Sequence, residues 1–136
     1  MNAKQWLNRA KNIDREIDGL ILALNETRSR VLNITQTLTG DVVQSTKDPH
    51  KFDRVVELEN IIDRKIDELL RVKAEIEIGI GKLNDNRYRE ILRKRYLLNM
   101  TFEQIAVSMN YSWRHTCTLH GRALLMMEEV INGKLS

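Results

Sequence analysis

Apolar residues at steps of three and four through the first eighty positions constrain this chain more than any other feature. Trp6, Ala10, Ile13, Ile17, Leu20, Leu24, Val31, Ile34 and Leu38 follow a heptad, with Thr27 filling the one gap. A strand, whose side chains repeat every second residue, cannot produce that spacing. Phe52, Val55, Ile62, Ile66, Leu69, Ile76, Ile80 and Leu83 repeat the pattern, interrupted by Glu59 and Lys73. Polar residues at seam positions cost stability and fix register. Leu7, Ile21 and Leu32 widen the first stripe; Val56, Leu58, Ile61 and Leu70 widen the second. Between the stripes, Gly40, Asp41, Asp48 and Pro49 mark a loop over 39–50, with Pro49 in the first turn of the second helix and Asp48 as its cap. Gly79 and Gly81 weaken the end of that helix and suggest a hinge before Asn84. Residues 1–83 are therefore expected to form a long antiparallel helical hairpin, coiled-coil-like, serving as an oligomerisation or partner arm.

Composition agrees with an all-α chain: 30% of residues are charged, 5% are aromatic, and there is one proline among 136. No apolar run approaches the roughly 20 residues needed to span a bilayer, so no membrane partner is expected. The polar start over 1–11 lacks the apolar stretch of a signal peptide. A single cysteine, Cys117, cannot close an internal disulfide. These features point to a reducing cytoplasm. Charge is uneven along the chain. Residues 1–83 hold 14 Lys/Arg and 14 Asp/Glu, whereas residues 84–136 hold 8 and 5, so the whole excess of +3 lies in the last third. A polyanion would be drawn there.

Residues 84–136 read as three short helices. Asn84 or Asp85 caps the first, which carries Ile91, Leu92, Tyr96 and Leu97 and stops at Asn99, a residue that tolerates the left-handed conformation. Thr101 and Gln104 have capping-box spacing, and Phe102, Ile105, Ala106 and Met109 form the buried face of the second. Asn110 suits a left-handed turn, Tyr111 an anchor within it, and Ser112 the cap of the third helix, over 113–131. Thr116, Leu119, Ala123, Leu124, Met127, Val130 and Ile131 should point inward; Trp113, Arg114, Cys117, Thr118 and Arg122 should point outward. A short helix, a four-residue turn and a longer helix make a helix-turn-helix, whose second helix reads base edges from its first turns.

Residues 83–125 resemble region 4 of bacterial sigma factors. The shared pattern is "RxxxILRxRY" (Arg87, Ile91, Leu92, Arg93, Arg95, Tyr96), then "TFEQIA" over 101–106, then Ser112, then "LHxRAL" over 119–124. The whole chain is similar to the ArpU family of phage transcriptional regulators, found in phages of Gram-positive bacteria and implicated in late-gene control. The resemblance implies double-stranded DNA as ligand. Base reading would fall on Trp113, Arg114, Cys117 and Thr118, and phosphate contact on Thr101, Gln104, His115 and Arg122. It also implies RNA polymerase as a further partner. Trp113 and Cys117 stand where such modules often carry charge, so a sigma-type promoter element is not the expected operator. Trp113 either contacts a thymine methyl or sugar, or folds back onto Tyr111 and Met109.

Catalysis is not expected. His115 and His120 are five residues apart, so they do not share a helix face as metal pairs at four do, and no Gly-rich phosphate loop or Ser-His-Asp pattern exists. No cofactor or metal is expected. The leading expectation is a sequence-specific DNA-binding regulator of phage or prophage late genes, a homodimer through its N-terminal helices. The alternatives are a phage small terminase subunit, which joins similar parts in the opposite order, and a helical protein-docking module.

Overall fold

The computed structural model describes residues 1–37, 50 and 52–133, the side chains of 33–37 excepted. Every regular element among the described residues is helical: α1 (Ala3–Leu7), α2 (Arg9–Thr37), α3 (Asp53–Gly81), α4 (Asn86–Leu92) running into a π turn (Arg93–Leu97), α5 (Phe102–Met109) and α6 (Trp113–Ile131). Among these, no helix is long and apolar enough to cross a membrane. The expected loop over 39–50, with Pro49 and its cap Asp48, lies outside the described residues except for His50.

The chain divides into two compact units, Met1–Asn12 with Leu69–Ser136, and Ile13–Glu68. This differs from the division expected between 83 and 84. α1, the last turns of α3 and α6 pack together, because the first unit is built on long-range contacts that heptad spacing does not announce. Asn2 caps α1 in a capping box with Gln5. The Ala3 N–H donates to the Glu128 carboxylate on α6 at 2.8 Å. A carboxylate at a helix N-terminus satisfies a donor that the helix itself leaves unpaired and complements the helix dipole. The single first helix expected from the sequence is interrupted at Asn8, where the Arg9 Nε donates to the Trp6 carbonyl at 3.0 Å.

The interruption accompanies close packing of Trp6 against α3. A Cβ built on Gly79 would lie 2.7 Å from the Trp6 ring and 2.9 Å from the Met127 methyl. Gly79 is therefore a close-approach site and not the hinge expected there. Ile76, Ile80 and Leu83, all at most 1% exposed, fill the space around it. Two ion pairs fasten the same stretch of α3: Arg9 to Glu75 at 3.0 Å and Arg93 to Glu77 at 2.7 Å. The turn after α3 closes through Lys82 N–H to Gly79 O (3.1 Å) and Leu83 N–H to Ile80 O (3.0 Å).

In the second unit, Leu24, Leu58 and Ile62 form a core flanked by Leu20 and Val55. Glu16 pairs with Lys65 at 2.7 Å and Arg28 with Glu59 at 2.6 Å, so residue numbers run in opposite directions along α2 and α3. Ile13, Ile17, Leu24 and Val31 are buried as their heptad spacing requires. The second stripe needs correction. Leu58, assigned to a flank, is buried, while Phe52 and Ile66 are 59% and 39% exposed. At about 100° per residue, Phe52 lies about 80° round the helix from Ile62, whereas Leu58 lies about 40° away on the other side. A 3.5-residue stripe drifts on a 3.6-residue helix, and the buried line follows the helix.

Gly79→Leu is expected to lower stability by about 1–3 kcal/mol, the range for forcing extra volume into a packed site. Chemical denaturation checks this; unchanged stability would mean that Trp6 and Met127 do not constrain α3.

Candidate nucleic-acid interface

The segment from Thr101 to the first turns of α6 is set by local hydrogen bonds. The Thr101 hydroxyl accepts the Gln104 N–H at 3.2 Å, and the Gln104 side-chain oxygen accepts the Thr101 N–H at 2.9 Å. At the other end of α5, Asn110 takes the left-handed conformation (φ 59°) and the Tyr111 N–H returns to the Ala106 carbonyl at 2.9 Å. Asn99 does the same before Thr101 (φ 56°). The Ser112 hydroxyl accepts the His115 N–H at 3.0 Å and starts α6. Three residues, 110–112, separate the helices, one fewer than expected.

The inner arc of α6 is Thr116, Leu119, His120, Ala123, Met127 and Val130, all buried. Leu124 and Ile131, expected inward, are half-buried at its margins. The inner arc faces α4, α5 and α1. His120 is the polar member that the sequence reading did not place. Its Nε2 shares a 2.8 Å hydrogen bond with the Tyr96 hydroxyl, its ring stacks on Tyr96 (5.7 Å between centroids), and the Phe102 ring meets it edge-on at 4.9 Å. Burial, then the positive charges of Arg95 and Lys4, lower the His120 pKa to about 4. Burial also pushes the Tyr96 hydroxyl up to about 12, against a smaller opposing effect of Arg95. Both groups are neutral near pH 7, as a hydrogen-bonded pair in an apolar core should be.

Opposite that arc lies the outer strip. Arg114, Thr118, Gly121, Arg122 and Leu125 are exposed, and Trp113 is 55% exposed at its start. Trp113 is thus not folded into the core; among the described residues it has no ring partner. The Thr118 hydroxyl donates to the Arg114 carbonyl at 3.1 Å, which leaves its lone pairs and methyl to face outward. Cys117, expected outward, is half-buried at the edge of the strip. His115 is exposed, its ring set edge-on against Tyr111 at 4.7 Å. Thr101 and Gln104 are exposed, but their capping bonds leave chiefly the Gln104 amide N–H groups for an outside acceptor.

The cations divide sharply. Arg93 is paired with Glu77, and Lys94 with Glu90 and the Ser108 hydroxyl. Arg95 donates to the Met100 carbonyl at 3.0 Å and lies over the Phe102 ring at 4.4 Å. Arg87 pairs with Asp85, whose carboxyl is held below its usual range chiefly by that hydrogen bond. Among the described residues, Arg114 and Arg122 have no ion-pair partner. Among those residues there is also no group of three or more His, Cys, Asp or Glu side chains that could hold a metal ion.

The chain belongs to the family described as "Protein of unknown function (DUF1492)", whose model matches residues 34–128, from α2 into α6. No curated protein and no solved structure matches it.

The His120 environment carries a pH dependence. Its folded pKa, about 4, lies below the unfolded value of 6.5, so the unfolded chain holds more protons between these two values. Stability from this site is complete above pH 6.5 and falls as pH drops toward 4, by at most about 3 kcal/mol. Melting experiments on the wild type and His120→Gln should show the steeper acid loss in the wild type; parallel curves would contradict the buried neutral histidine.

Proposed function

We propose that this DUF1492 chain is a sequence-specific duplex-DNA-binding regulator of transcription, of the type that the ArpU and sigma region 4 resemblances imply. In this reading α5, the turn over 110–112 and α6 act as a helix-turn-helix, and α6 enters the major groove. One observation carries it: α6 is buried along one arc while its opposite strip presents Arg114, Thr118 and Arg122 to solvent, with Trp113 exposed in its capped first turn. Nothing in the fold of the described residues requires two unpaired arginines on that strip and an exposed tryptophan in the first turn. An exposed arginine can donate two hydrogen bonds to a guanine edge. A threonine methyl or an indole suits a thymine methyl. Arg122, a turn or more further along, suits a phosphate.

The α2–α3 unit then pairs two copies. Ile21, Val56 and Ile66 remain exposed on it, which supports an apolar contact beyond its own two helices. The order of the parts, with the α2–α3 unit before the DNA-reading helix, favours the regulator over a terminase subunit.

Selection of bound sequences from a random duplex pool at two salt concentrations tests the reading. The wild type should enrich a motif that survives the higher salt. Arg114→Ala should flatten that motif, while Arg122→Ala should weaken all duplexes alike and reduce the slope of log K against log salt by about 0.9. No retention of any duplex by the wild type would overturn the proposal.

A further inference from the structure

The residue on the outer strip that the fold explains least is Gly121. It lies within the 19-residue α6, and it is exposed. A Cβ added there would meet nothing within 4 Å. Glycine weakens a helix interior, because it loses the most backbone freedom on ordering. Alanine would fit without displacing any described atom and would strengthen the helix. Gly79, by contrast, is required by Trp6 and Met127. A demand from inside the chain does not account for Gly121.

Its surroundings point outward. Seven residues make two helical turns less about 20°, so Gly121 lies almost in line with Arg114, about 10 Å further along the axis. Leu125, 71% exposed, continues close to the same line, and Thr118 and Arg122 lie about 60° and 100° round the helix on one side of it. The edge of the strip is therefore bare here, with the half-buried Cys117 and Leu124 on its other side and, two turns back, Arg114, which has no ion-pair partner among the described residues. A helix with its side chains is roughly 10–12 Å across, and the major groove is about 12 Å wide. Clearance is close to nil, so a missing side chain allows the helix to seat deeper. Gly19 on α2 is also exposed with open space at its Cβ, among Arg15, Glu16, Leu22 and Ala23, but it lies on a helix that does not read DNA in this account and so serves as the control.

Resting on the DNA-binding reading above, we propose that Gly121 is a positioning residue for duplex DNA: the point where the groove wall comes against the bare backbone of α6, two turns on from the cation of Arg114. Its lack of a side chain sets the depth at which Arg114 and Thr118 reach the bases. Gly121 contributes depth and register, and the arginines contribute charge.

The test uses the full chain and four proteins: wild type, Gly121→Ala, Gly121→Leu and Gly19→Ala. Each is melted, and each is titrated with the random duplex pool and with any duplex enriched from it. Gly121→Ala and Gly19→Ala should both melt higher than wild type, since each replaces a helical glycine. Gly19→Ala should bind as the wild type does. Gly121→Ala should bind more weakly, and Gly121→Leu more weakly still, by about tenfold or more, the scale of one lost base-pair contact. A better-folded protein that binds worse is not the result of a merely structural role. Equal binding by wild type and both Gly121 variants would overturn the inference while leaving the DNA reading intact, and so would an equal loss in Gly19→Ala. A wild type that retains no duplex would remove the DNA reading itself and this inference with it.

Discussion

The burial of one arc of α6 is the constraint on which the rest of the first unit depends. Leu119, Ala123 and Met127 are fully buried, and the segments around them are each held to α6 by a specific contact. The π turn after α4 contributes Tyr96 to His120, α5 contributes Phe102, and α1 hangs its first N–H on Glu128. Because so many elements hold the inner side, the outer strip is not free to turn inward. Rigid support beneath an exposed face is what a recognition helix needs, since small errors in placement cost contacts made at hydrogen-bond distance.

Electrostatics reach the same place by subtraction. The last third of the chain carries the whole excess of positive charge, but most of its arginines and lysines are occupied. Glu77, Glu90 and Asp85 take up Arg93, Lys94 and Arg87, and Arg95 is used by a carbonyl and an aromatic ring. The cations left on α6 are two. A steering field built from so few charges is modest, so recognition on this account leans on the shape and hydrogen bonding of the strip more than on bulk charge.

Much of this was legible in the sequence wherever the determinant is local. Thr101 with Gln104, Ser112, Asn99 and Asn110 all act as their spacing predicts, because caps and left-handed turns are decided within four residues. The inner arc of α6 follows from its period. What could not be read has its partner far away. The interruption at Asn8 goes with an N-terminal turn that docks on Glu128, 125 residues from Ala3. Gly79 is small because of Trp6 and Met127. His120, read as one of two histidines without a metal partner, belongs to a core pair with Tyr96, and two polar residues at inward positions of neighbouring helices were the available signal. The exposure of Trp113 and the half-burial of Cys117 depend on how far α6 is rotated, which spacing alone leaves open by tens of degrees. The base-reading and phosphate roles given to these residues rest on resemblance and chemistry.

The most direct test of the central claim follows backbone amides by heteronuclear NMR while duplex DNA is added. If the outer strip of α6 is the interface, shift changes will concentrate over 113–122, with a second group at 101–104, and the amides of Ile13–Glu68 will change little. Changes centred on α2 and α3 with α6 unaffected, or no changes at all, would contradict it.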